Sequence, residues 1–243
     1  MSTSHQDTLQ QEHDKFHAML LTSVSHDLKT PIACIIGSLD IYQQLKGTLS
    51  EERKDILIAT AINEARRLDN FITNILDMAK LESGIIFQYE NIDIAQLVRQ
   101  CVHQMESVLS QHPVQLELPR QLMGQVNELW ISRVLALLLS NAALYTPADT
   151  NILVSVTSDN IACWITIRDY GPGISKKMAT TIFQKHHRTM LKDTKVAGTG
   201  LGLPICKAIA EKHGGAIRCE TPDSGDGTIF TITLPLHHKR IKK

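Results

Sequence analysis

Apolar residues from Phe16 to Leu45 recur at steps of three and four: Phe16, Met19, Leu20, Val24 and Leu28, then Ile32, Ile35, Ile36, Leu39, Ile41 and Tyr42. This spacing winds an apolar stripe along one face of an α-helix. Pro31 falls inside the stripe, where it is expected to kink the helix rather than end it. Gly47-Thr48-Leu49-Ser50 breaks the pattern, and Ser50 before Glu51-Glu52 has the form of an N-cap with an acidic first turn. A second helix then runs through Ile56, Ile62, Leu68, Ile72, Ile75 and Leu76 to Leu81, and Ser83-Gly84 ends it. Two long helices joined by a short loop form an antiparallel hairpin, and a lone hairpin leaves one stripe bare. Pairing with a second copy into a four-helix bundle is the simplest remedy.

Beyond Gly84 the period changes. Short β-rich runs (Ile85 to Tyr89, Val114 to Leu118, Ile152 to Thr157, Ile161 to Arg168, Ala216 to Cys219, Thr228 to Leu234) alternate with helical stretches near 93–110, 127–144, 175–184 and 202–213. This predicts a mixed α/β layer domain. Turn residues at Ser158-Asp159-Asn160 and at Pro222 to Gly227 favour antiparallel pairing.

Composition narrows the classes. The 243 residues carry 43% hydrophobic and 21% charged residues, ordinary for a globular chain. Lys plus Arg and Asp plus Glu balance at 25 each, so no global field draws the protein to nucleic acid or an anionic membrane. The basic tail His237 to Lys243 reads as a solvated end, and 1–13 as a flexible start. The five cysteines are scattered without a Cys-x-x-Cys pair, which argues against a disulfide framework or zinc site and fits a reducing, cytoplasmic setting. There is no signal peptide and no run of about eighteen apolar residues, so no membrane span is expected in this chain. The helix entering at Glu12 to Leu21 is compatible with a further region upstream in a longer, membrane-anchored parent.

Four segments carry chemistry. Ser25-His26-Asp27-Leu28-Lys29-Thr30-Pro31 sets an imidazole beside a carboxylate on a helix, with Thr30 one turn on; such a pair can make a ring nitrogen nucleophilic, although on its own it reads as a surface pair. Leu137 to Pro147 places Asn141 in an apolar helix, where an unpaired amide costs about 1–3 kcal/mol to bury. A backbone bond, a metal or a polar ligand would satisfy it. Asp169-Tyr170-Gly171-Pro172-Gly173 follows an apolar strand: an ordinary turn, or glycines that admit a ligand beside an acidic acceptor. Gly198-Thr199-Gly200-Leu201-Gly202-Leu203-Pro204 feeds a helix N-terminus, a natural seat for phosphates, without the spacing of a Walker or Rossmann loop.

Together and in this order, the four segments resemble the H, N, G1 and G2 boxes of sensor histidine kinases, over about residues 14–236. Leu68 to Lys80, Val114 to Val126 and Thr181 to Lys185 are similar to the potassium-responsive KdpD subgroup. The resemblance implies a dimerisation and phosphotransfer hairpin over 14–83, then an α/β sandwich of the GHKL (Bergerat) ATP-binding type over 84–236. It implies that His26 is the phosphoacceptor, Asp27 the base that activates it, and Thr30 the residue orienting a water that hydrolyses phosphorylated response regulator. It further implies that Asn141 binds Mg²⁺, Asp169 the adenine amino group, that Tyr145 packs on the base, and that Thr228 sits behind it. Gly171 and Gly173 would shape the pocket of ATP, and Gly198, Gly200, Leu201 and Gly202 the lid. A homodimer and a partner response regulator are implied with these.

The sequence departs from the family at three points. Leu137 stands where a second Asn is frequent, Leu144 where a Lys is frequent, and His186 where a Phe is usual. The two leucines remove polar contacts to triphosphate or metal, which Lys185, Arg188, Lys192 and Lys195 could partly restore. They keep open a degenerate kinase serving as scaffold or phosphatase. A stand-alone ATPase of the gyrase and chaperone type is the other alternative, and it has no use for His26.

Overall fold

The computed structural model describes residues 27–184, 200–222 and 226–237. His26, Arg188, Gly198, the expected flexible start and the basic tail from 238 onward lie outside them. The chain divides into two compact units, Met1–Ile75 and Leu76–Lys243.

In the first unit, helix α1 covers 27–45 and continues through Pro31, as a kink rather than an end requires. The Thr48 and Leu49 N–H groups close it on the Leu45 carbonyl at 2.8 and 3.0 Å. Helix α2, Glu51–Glu82, begins as expected, the Arg53 N–H donating to the Ser50 hydroxyl at 3.4 Å. Two acidic residues in its first turn and Lys80 in its last complement the helix dipole. Ile32, Ile36 and Leu39 on α1, with Ile58, Ile62 and Ile72 on α2, remain exposed, so apolar positions of the hairpin stay uncovered.

The second unit holds the α/β layers. Strands β2 (Val114–Glu117), β4 (Ile152–Ser158), β5 (Ala162–Arg168), β7 (Ile229–Pro235) and β6 (Ala216–Glu220) form one sheet in that order, parallel between β2 and β4 and antiparallel elsewhere. A second, two-stranded sheet pairs β1 (Glu90–Asp93) with β3 (Met123–Val126). Burial alternates strictly along β4, β5 and β7: Ile152, Val154 and Val156, then Cys163, Ile165 and Ile167, then Phe230, Ile232 and Leu234 are buried. These line one face, since the register sets Ile165 against Ile232 and Ile167 against Phe230. Helices α3 (Ile94–Gln104), α4 (Glu128–Tyr145) and α6 (Gly202–Lys212) each bury an apolar side, and α4 packs on α6, α3 and β5. The result is a two-layer sandwich. Among the described residues α4 is the one helix long and apolar enough to cross a membrane, but Trp130, Ile131, Val134, Leu135, Leu138 and Leu139 are buried here as a core helix buries them.

Three expectations shift. Ile85 to Tyr89 is not a strand: pairing starts at Glu90, because Phe87 leaves the run to stack on Trp130 with ring centroids 5.5 Å apart. Helix α3 stops at Gln104, where turns around Ser107 and Ser110 take over, and the expected 175–184 helix shortens to α5, Lys176–Thr181. The hairpin at Asp159 forms as read, its carboxylate accepting from the Ile161 and Ala162 N–H groups at 2.7 and 2.8 Å, which holds its pKa below the ordinary value. The described cysteines are all free, and burial pushes the thiols of Cys163 and Cys219 up to about 11 and 12.

Candidate functional site

Where β5 and β7 end, the chain leaves the sheet twice at one point. Arg168 pairs with Ile229, so Asp169 and Thr228 face each other just beyond the ladder. The Asp169 N–H donates to the Thr228 carbonyl at 2.9 Å, and the Thr228 N–H returns a bond to Asp169 Oδ1 at 3.0 Å. The Gly171 N–H reaches the same Oδ1 at 2.9 Å. Two backbone N–H donors thus aim a carboxylate that is only 4% exposed, and a third bond braces the main chain that carries it. Burial pushes its pKa above the ordinary 3.8, against the opposing pull of the Gly171 and Thr228 N–H donors.

Two glycines make this crossing possible. A Cβ on Gly227 would stand 1.9 Å from the Asp169 carbonyl oxygen, and its φ of +85° is one that side chains disfavour. A Cβ on Gly171 would stand 2.5 Å from the Tyr145 carbonyl oxygen, so the Asp169 to Gly173 turn is pressed onto the last turn of α4. That helix is fixed at both ends. Asn127 caps its start, Oδ1 accepting from the Trp130 N–H at 3.2 Å, and Pro147 follows the Thr146 cap that closes it. Asn141 and Tyr145, four apart, share one face of it and are half-buried. Among the described residues no group is hydrogen-bonded to the Asn141 amide, so the backbone partner that the sequence left open is not used.

The start of α6 completes the arrangement. Leu201 stands at its N-cap position with no side-chain cap bond, Gly200 before it has a φ of +68°, and Pro204 lies buried in the first turn. The residue at the cap position thus supplies no capping side chain to the opening N–H groups, and a helix start of this kind suits an anion. Gly202 lies against Leu137, one turn before Asn141, a Cβ there coming 3.5 Å from Leu137 Cδ2. Leu144 is 50% exposed. The structure thus brings Asn141, Tyr145, Asp169, Gly171, Gly173, Gly200, Leu201, Gly202 and Thr228 to the ends and turns around one corner of the sandwich. Asp27 and Thr30 stand exposed on α1, in the other unit.

Sequence reasoning gave Gly227 no role beyond its turn, because the backbone it crosses belongs to a strand far away in the chain. It also missed Arg168, whose guanidinium lies 4.6 Å over the Tyr170 ring and stiffens the turn that carries Asp169. Among the described residues no cluster of three His, Cys, Asp or Glu could hold a metal ion.

A helical hairpin is followed along the chain by a two-layer α/β sandwich with an acidic, glycine-bordered corner. Residues 17–84 match the His Kinase A (phospho-acceptor) domain, and 126–238 the Histidine kinase-, DNA gyrase B-, and HSP90-like ATPase family. The chain belongs to the sensor histidine kinases of two-component systems. It is 31% identical to the Sensor protein KdpD of Escherichia coli K12 over 92% of this chain and 25% of that protein. It is 30% identical to the Sensor histidine kinase WalK of Bacillus subtilis over 94% of this chain and 38% of that protein. The chain thus spans between a quarter and two fifths of the length of these curated relatives. The Acinetobacter baumannii histidine kinase AdeS superposes with a TM-score of 0.68 at 23% identity, over 88% of this chain and 98% of that one. Histidine kinase ThkA, solved in complex with response regulator protein TrrA, superposes with a TM-score of 0.71 at 20% identity, over 97% of this chain and 66% of that one. These two likenesses show the fold.

Proposed function

We propose that the chain is an ATP-dependent protein-histidine kinase that phosphorylates its own His26 and passes the phosphoryl group to an Asp of a response regulator. One observation carries the reading: a phospho-acceptor domain containing His26 and an ATPase domain with a pre-aimed, buried Asp169 occur in one chain. Asp169 accepts the amino group of adenine, its Oδ1 already fixed by Gly171 and Thr228 so that no reorganisation is needed on binding. Tyr145 packs on the base and Thr228 backs it. The N–H groups opening α6 face the phosphates, and the family resemblance assigns further phosphate-binding roles to Arg188 and to the lid glycines Gly198, Gly200 and Gly202.

A ring nitrogen of His26 attacks the γ-phosphorus in line. The bond from that phosphorus to the bridging oxygen breaks, its electron pair leaves with ADP, and Asp27 takes or polarises the proton on the other ring nitrogen. Asn141, with its amide oxygen unclaimed by any described residue, fits a Mg²⁺ ligand beside phosphate oxygens. Such an ion supplies neutralisation of the triphosphate charge. Thr30 orients the water of the reverse, phosphatase reaction.

The protein works as a homodimer in the cytoplasm, the exposed Ile32, Ile36, Leu39, Ile58 and Ile62 closing a four-helix bundle between copies. ThkA's complex with TrrA supports a response regulator as partner. The test is incubation with ATP labelled at the γ-phosphate and Mg²⁺. Acid-labile label is expected on the wild type, none on His26→Gln, and a strong reduction on Asn141→Ala. Label persisting on His26→Gln refutes the assignment.

A further inference from the structure

Gly84 looks like the natural hinge of this kinase, since it ends α2 with a φ of +77° and a Cβ there would touch nothing within 4 Å. The structure fastens the chain to the α/β unit on both sides of it. Before Gly84, Asp77 Oδ2 accepts from Arg133 Nε on α4 at 2.7 Å, with side chains only 13% and 23% exposed, and Met78 and Leu81 are buried. After it, Phe87 stacks on Trp130, the Gln88 carbonyl accepts from Asn127 Nδ2 at 2.8 Å, and the Tyr89 hydroxyl donates to the Lys212 carbonyl at 2.7 Å. A joint clamped on both sides to one body does not swing that body. The compact unit accordingly begins at Leu76, inside α2.

The turn just before that division, Ile72-Thr73-Asn74-Ile75, is four residues of middling or poor helix propensity in a row, whereas Leu76 to Glu82 is rich in Leu, Met, Ala, Lys and Glu. We propose that the last turns of α2 and the 85–90 strap travel with the ATP-binding unit, and that the swing toward His26 bends α2 at 72–75, with Asp77–Arg133 as the positioning pair that sets the hinge there. This rests on the phosphorylation reading for its consequence, though not for its mechanics.

Two measurements test it. In an Asp77→Cys/Arg133→Cys chain that also carries Cys34→Ser and Cys219→Ser, a short bis-maleimide bridge locks α2 to α4. Labelling by ATP is expected to stay within twofold of the unbridged protein, and a loss of tenfold or more overturns the proposal by placing the hinge between the bridged groups. Hydrogen exchange on the unaltered full chain should show amides 76–82 exchanging at least tenfold more slowly than 72–75. Asp77→Asn should erase that contrast, and Asp77→Arg combined with Arg133→Asp should restore it. Equal rates on both sides of Leu76 in the wild type also overturn it. If the unbridged protein takes no label at all, the phosphorylation reading is what has failed, and the exchange data still decide where the hinge lies.

Discussion

Substituting Gly227 by Ala separates two costs that a second glycine lets one measure. A Cβ at Gly227 meets a φ of +85° and would stand 1.9 Å from the Asp169 carbonyl oxygen and 2.7 Å from its carbon. Gly84 has a similar φ of +77° with nothing within 4 Å of a Cβ, and it lies in the same unit. Gly84→Ala therefore carries the left-handed backbone cost alone, about 1–2 kcal/mol. Gly227→Ala adds the displacement of backbone from backbone, which must pull Thr228 off Asp169. Losing the Thr228 N–H bond to the buried carboxylate removes about 1.5–3 kcal/mol, and the Asp169–Thr228 backbone bond about 0.5–1.5 more. The expected destabilisations are about 1–2 kcal/mol for Gly84→Ala and roughly 3–6 kcal/mol for Gly227→Ala. Both tryptophans, Trp130 and Trp164, lie in this unit, so urea unfolding followed by tryptophan fluorescence reads it directly. Equal losses in the two variants would refute the reasoning, because the clash would then cost nothing.

Four further outcomes follow from the same geometry. Nucleotide affinity should decline on acidification from a pH above the ordinary aspartate range, because ligand binding needs Asp169 ionised and burial raises its pKa; Asp169→Asn should flatten that profile and weaken binding by about 1.5–3 kcal/mol, as titration calorimetry would show. Folding stability runs the other way: the folded carboxyl holds its proton to higher pH than the unfolded one, so the stability contributed at low pH is lost as pH rises through the folded pKa, a slope missing in Asp169→Asn. Leu144→Lys, at a half-exposed position beside Tyr145, should lower the KM for ATP about threefold to tenfold, near 1 kcal/mol, with little change in stability; an unchanged KM would mean that Leu144 does not face the phosphates. His213→Phe keeps a ring in the cluster with Phe87 and Tyr89 but strands the Asn127 N–H that donates to Nε2 at 3.0 Å, and thermal unfolding should report a loss of about 1–3 kcal/mol.

Much of this protein is legible along the chain because its signals are local. A 3.6-residue apolar period needs only its own helix, so α2, α4 and α6 fall within a residue or two of their expected places, as do the strands whose alternation reflects a single covered face. Turn residues at Asp159 act on N–H groups two and three residues away. What the tertiary structure alone decided involves partners remote in sequence. Ile85 to Tyr89 has strand composition, yet Trp130 claims Phe87 and leaves Ile86 88% exposed, so the run becomes a strap. Met123 to Val126 has weak strand composition, yet it pairs with β1, with Gly124 so close to Ile94 that a Cβ would stand 2.6 Å from its Cδ1. Gly227 counts as one turn glycine among several until the strands cross and the Asp169 carbonyl fills the place of its missing side chain. The amino-acid order set the elements and named the chemistry. Which side chains share a corner was decided by sheet register and close packing, in which the space for each group depends on the whole set of neighbours.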